Sequence, residues 1–155
     1  MLQGLTTADV RFVVVGDVAA AAHGSQYVTN GLDICYDAES GNVQRLAVLL
    51  ASWNAYPRGI EHGLPFFMDE RQFRAQPAMT LTTREGDIDV LRHVAGVGEY
   101  ADAYDHSVEI DAFEVRFRLL DLPALIAAKR AANRPKDLAH LLELEAILAL
   151  RHTTP

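Results

Sequence analysis

The chain has 155 residues, 50% of them hydrophobic and 23% charged, with a formal net charge of −7. That length and balance indicate one globular domain with its own core and exclude a disordered segment, while the acidic excess argues against tight nonspecific binding to a nucleic-acid backbone. The single cysteine, Cys35, excludes an internal disulfide or a cysteine metal cluster, and with no signal-peptide pattern at the N-terminus and no membrane-length apolar run, a reducing, cytoplasmic setting is expected.

Residues 1–11 carry little pattern, with Thr6-Thr7-Ala8-Asp9 able to start a short helix or turn. Phe12 to Val15 is a continuous apolar, β-branched run ended by Gly16, which reads as a buried strand. Asp17 follows as an acidic N-cap or first-turn residue of the Val-Ala-Ala-Ala-Ala helix, which Gly24 closes. A polar loop from Ser25 to Gly31 leads to a second strand, where Leu32, Ile34 and Tyr36 share one face and Asp33 and Cys35 the other. From Gly41 to Trp53 the residues Val43, Leu46, Ala47, Leu50 and Trp53 fall at helical spacing, a stripe that packs on the sheet.

Asn54 to Pro65 is a long Gly- and Pro-bearing connection, and Asp69 to Arg74 makes a helical turn. Ala78–Thr83 and Asp87–Leu91 form a hairpin around Arg84-Glu85-Gly86, which places Asp87 and Asp89 on one face and Ile88 and Val90 on the other. A short helix at Glu99–Tyr104 precedes a further hairpin, Val108–Ile110 and Phe113–Phe117, turning at Asp111-Ala112 and extending the sheet. Asp121 as N-cap and Pro123 in the first turn start a helix on which Leu122, Leu125, Ile126 and Lys129 share a face. Arg134-Pro135-Lys136-Asp137 then opens a leucine-rich helix through Leu150.

The segments Gly16-Asp17, His23-Gly24, Thr29-Asn30-Gly31-Leu32-Asp33, Glu85 to Leu91, and Leu125-Ile126 to Lys129 with Arg134-Pro135-Lys136-Asp137 resemble the nucleotidyltransferase superfamily, in its AbiEii/MNT-like branch. The resemblance covers most of the chain. It implies a single α/β (α+β) domain over residues 1–155, a mixed β-sheet flanked by helices with a helical C-terminal segment packed on it. It also implies Mg²⁺-dependent transfer of a nucleoside monophosphate from a nucleoside triphosphate to a hydroxyl of a protein, RNA or small molecule. Asp33, Asp89 and Lys129 would be the catalytic residues, with Asp33, Asp87 and Asp89 toward the metal and Gly16, Asp17, Ser25, Lys129 and Asp137 toward the nucleotide. Two positions depart from the family pattern: Asp17 stands where a second small residue is usual, and Gly31 where the first aspartate of an Asp-x-Asp pair is usual. These departures equally suit a catalytically degenerate member kept as a binding or regulatory module, as one half of a toxin–antitoxin pair.

Each candidate also has a structural reading. Asp33 and Asp89 are either metal ligands or solvated strand-end acids, and Asp87 either joins them or serves the glycine turn. Asp17 either caps a helix and offsets its dipole or turns toward the metal; Lys129 either binds phosphate or snorkels from a packed stripe. Asp137 also suits a helix start. His23 reads as a packed or hydrogen-bonded histidine and Cys35 as a small core or lining residue, so no covalent intermediate is expected.

Overall fold

The centre of the molecule is β1, Phe12–Val15, whose residues are buried throughout. In the computed structural model, which describes residues 1–27 and 29–153, the elements run α1 (Leu2–Thr7), β1, α2 (Gly16–Ala22), β2 (Gly31–Tyr36), α3 (Ser40–Ser52), β3 (Tyr56–Pro57) and α4 (Glu70–Ala75). They continue with β4 (Ala78–Thr83), β5 (Gly86–Leu91), β6 (His93–Val94), β7 (Gly98–Glu99), α5 (Tyr100–Asp105), β8 (Ser107–Ala112), β9 (Val115–Leu120), α6 (Leu122–Ala132) and α7 (Asp137–Thr153). This is the α/β fold with a helical C-terminus that the sequence suggests.

Among the described residues seven strands form one mixed sheet in the order β3-β4-β5-β2-β1-β9-β8, with β6 and β7 paired separately. The strands β1 and β2 are antiparallel, whereas β2 runs parallel to β5 and β1 parallel to β9. The register across the middle is what builds a site. Val15 pairs with Asp33, Asp33 with Asp89, and Asp89 with Thr80, so these four side chains form one row on one face. The intervening Leu32, Ile34, Ile88 and Val90 are all buried on the opposite face.

That opposite face is covered by α3 and α4. The stripe Val43, Leu46, Ala47, Leu50 and Trp53 is buried as its spacing requires, and Tyr36 meets Phe73 of α4 edge to face. Each fully buried leucine of this layer contributes about 1.5–3 kcal/mol relative to solvent exposure. Glu39 caps α3 by accepting from the amides of Gly41 and Asn42. The carboxylate face is flanked by α2, α5 and α6, with α7 packed on α6. Asp121 caps α6 at the amide of Ala124, with Pro123 in the first turn.

The structure moves several local boundaries. The N-terminal helix spans Leu2–Thr7 and ends where the sequence suggests a start; it is held by tertiary packing of fully buried Leu5, and Gly4 lies against the Trp53 ring, neither of which leaves a periodic signal. The β8–β9 hairpin turns at Phe113-Glu114, not at Asp111-Ala112. Both turn residues have positive φ, 54° and 64°, a conformation usually signalled by Asn or Gly, and neither is present. Beyond the turn, β9 runs to Leu120 and lies inside the sheet between β1 and β8, paired in parallel with β1. The Asn54–Pro65 connection contributes the short edge strand β3, and α7 continues past Leu150 to Thr153. Among the described residues no helix is long and apolar enough to cross a membrane.

Candidate functional site

A cleft of about 550 Å³ opens where the ends of β1, β2 and β5 face α6 and the start of α7. Its sheet wall carries Gly16, Asp17, Asp33 and Asp89, and its helical wall carries Lys129, Arg134, Lys136, Asp137 and His140. The parallel register brings Asp33 and Asp89 side by side. Burial, followed by the negative charges of Asp89 and Asp17, pushes the Asp33 carboxyl up to about 7, with Arg58 opposing the shift. A proton therefore sits on this face near neutrality. Gly16 makes the approach possible: it has φ +67°, and a Cβ there would collide with the Asp33 carboxyl.

Asp17 lies in the first turn of α2, behind the N-cap position taken by Val15. Its Oδ1 accepts from Lys129 Nζ at 3.3 Å and lies 3.5 Å from His140 Nδ1. Lys129 does not snorkel into solvent. Its side chain is only 13% exposed, at the end of the buried stripe of α6, and it also donates to Asp137 at 3.1 Å. Asp137 is buried and receives a two-pronged contact from Arg134, at 2.6 and 3.2 Å. Burial alone would raise its carboxyl, but the hydrogen bonds from Arg134 and Lys129 outweigh it and hold the group at about 2.

Ser25 does not line the cleft. Its hydroxyl donates to Glu143 Oε1 at 2.5 Å, accepts from the Tyr27 amide and is hydrogen-bonded to His140 Nε2 at 3.1 Å. Burial and then the Lys129 charge lower the His140 pKa, so the ring is neutral near pH 7. Tyr27 stacks on that ring at 4.6 Å.

Asp87 shares the face of Asp89, as its period of two requires, but is not among the cleft residues. It forms an ion pair with Arg58 Nε at 3.4 Å, and Arg58 Nη2 also donates to Asp89 Oδ1 at 2.9 Å. Arg58 and His140 are the site residues that sequence reasoning missed. His140 had a usable signal, since it stands three residues after Asp137 and so shares its helical face. Arg58 had none, because it reaches the carboxylates from an irregular connection.

His23 is the hydrogen-bonded histidine expected: Nε2 donates to the Leu120 carbonyl at 2.8 Å and Nδ1 accepts from Arg151. Cys35 is fully buried, and that burial pushes its thiol up to about 12, which suits a core residue and not a nucleophile. Among the described residues no group of three or more His, Cys, Asp or Glu side chains is arranged to hold a metal ion. Two adjacent carboxylates facing a cleft still suit Mg²⁺, which commonly takes one or two carboxylates and completes its shell with phosphate oxygens and water. No protein-family model matches this chain, and no curated protein matches it.

Proposed function

We propose that this chain is a cytoplasmic protein of nucleotidyltransferase type, which binds a nucleoside triphosphate with Mg²⁺ in the cleft and transfers the nucleoside monophosphate to a hydroxyl acceptor. The observation that carries the reading is the distribution of charge across one cleft, with Asp17, Asp33 and Asp89 on the sheet wall and three cations, Lys129, Arg134 and Lys136, against one carboxylate, Asp137, on the helical wall. A triphosphate with its cation has the complementary shape: metal toward the carboxylates, phosphate oxygens toward the cations. The resemblance of the Gly16-Asp17, Asp33, Asp89 and Lys129 segments supports the same conclusion.

Asp33 and Asp89 would hold the metal, which when bound offsets the charge that develops as the acceptor oxygen bonds to the α-phosphorus and pyrophosphate leaves. Asp33 gives up its proton to bind a cation, so binding is coupled to pH. Gly16 leaves room for the Asp33 carboxyl against the turn. Arg134 and Lys136, exposed at the rim, meet the phosphate tail first. Label from the α-phosphate of a nucleoside triphosphate should reach the acceptor while γ-phosphate label leaves as pyrophosphate. Transfer of γ-phosphate label, or of none from any nucleotide in a protein that binds it, would count against the reaction.

One observation favours a second reading, a degenerate fold retained as a binding or regulatory module, as in a toxin–antitoxin pair. Lys129 is already paired with Asp17 and Asp137, so a phosphate must compete with Asp17 for it. Binding without transfer would select this reading.

A further inference from the structure

We propose that Arg58 limits the carboxylate face to a single divalent cation, its guanidinium holding the position between Asp87 and Asp89 that a second cation would require. The proposal rests on the reading of Asp33 and Asp89 as the cation-binding pair and adds a residue which that reading does not use.

Arg58 is placed by the sheet itself. Tyr56 of β3 pairs with Thr82, and two residues on the Arg58 amide donates to the Thr80 carbonyl at 2.9 Å, prolonging the edge pairing beyond β3. Thr80 is the cross-strand partner of Asp89, so Arg58 extends the row Val15–Asp33–Asp89–Thr80 by one strand. From there the side chain turns inward over β4 and β5. Nη2 donates to the Leu81 carbonyl at 2.8 Å and to Asp89 Oδ1 at 2.9 Å, with Nε 3.4 Å from Asp87 Oδ2. The guanidinium, itself 37% exposed, is held by backbone and two carboxylates at once, which fixes its position more than a single surface pair would.

This arrangement divides the face into two halves. Asp89 offers one oxygen to Arg58 on the β4 side and meets Asp33 on the β2 side, where the cleft lies. Asp87 is engaged by Arg58, and its partner across β2 is Gly31, which brings no side chain. Charge agrees with geometry: one guanidinium and one divalent cation together neutralise Asp33, Asp87 and Asp89. A second divalent cation would leave an excess of positive charge and would have to expel Arg58. Asp87 is thus a partner of Arg58 and not a metal ligand.

Manganese counting tests this on the intact chain at pH 8, using the Mn²⁺ electron paramagnetic resonance signal to separate free from bound ion. The wild-type protein should bind one Mn²⁺, Arg58→Lys one, Arg58→Met two, and Arg58→Met with Asp87→Asn one again. Asp87→Asn alone should change the Mn²⁺ affinity less than twofold, an arm that stands even if Arg58→Met does not fold. Two ions on the wild-type chain, one on a folded Arg58→Met, or a tenfold loss in Asp87→Asn would overturn the proposal while leaving the cation-binding pair intact. No Mn²⁺ on the wild-type chain would instead remove the reading beneath it, and the proposal with it.

Discussion

Replacing Asp33 by Asn isolates the energetic consequence of crowding carboxylates at the cleft. Its carboxyl is raised from 3.8 to about 7, first by burial and then by Asp89 and Asp17. Between those values the folded chain keeps a proton that the unfolded chain has released, so raising the pH favours unfolding. The destabilisation is absent below pH 4, grows through the window up to 7 and is complete above it. At about 1.4 kcal/mol for each tenfold change, the full effect would be about 4 kcal/mol. Screening by water in the cleft brings the expected net effect to about 2 kcal/mol. Asparagine keeps the shape and can donate to Asp89, so Asp33→Asn should melt about 4–8 °C above wild type at pH 8 and within about 1 °C of it at pH 4. Mg²⁺ should raise the wild-type midpoint at pH 8 and leave that of the variant unmoved. Thermal unfolding followed by circular dichroism at the two pH values measures both. A variant less stable than wild type at pH 8 would show that Asp33 is a satisfied structural acid and refute the reasoning.

Three other substitutions follow from the ion pairs and the packing of the site. Asp17→Asn frees Lys129 from one carboxylate and should tighten nucleoside triphosphate binding about tenfold in a titration; unchanged or weaker binding would mean that Asp17 does not compete with phosphate. Lys129→Met should weaken nucleotide binding and also lower stability by about 1–3 kcal/mol, because buried Asp137 loses one of its two cationic partners; a denaturant melt that matches wild type would contradict this. The Lys129–Asp137 contribution is present above pH 4 and is lost as pH falls toward 2, so the two melting curves should converge in acid. Gly31→Asp places a Cβ 3.1 Å from the Asp87 carbonyl oxygen and a carboxylate beside Asp87, and should destabilise the metal-free protein by about 1–3 kcal/mol. Mg²⁺ should restore part of that loss, and a melting temperature insensitive to Mg²⁺ would argue against a cation on this face.

How far the site could be read from sequence follows from what period and chain order encode. Asp33 and Asp89 each alternate with apolar residues, so that each points away from its strand's apolar face was visible; that β2 and β5 run side by side, which puts the two on one face as neighbours, was not. The α3 stripe and the Asp121-x-Pro123 start were legible because each is a local rule satisfied within a few residues. Arg58 reaches the carboxylates from an irregular connection through a pairing to β4 that only the folded sheet creates. The two ion pairs of Lys129 and the displacement of Ser25 toward Glu143 and His140 likewise depend on how α7 docks, which no periodicity specifies.

The most direct measurement is an isothermal titration of the wild-type chain at pH 8 with each of ATP, GTP, CTP and UTP, with and without Mg²⁺, repeated on Asp89→Asn. The account predicts that at least one nucleotide binds with a stoichiometry of one, that Mg²⁺ strengthens the binding, and that Asp89→Asn abolishes the Mg²⁺ effect. No binding by any of the four, or binding indifferent to both Mg²⁺ and Asp89, would contradict it.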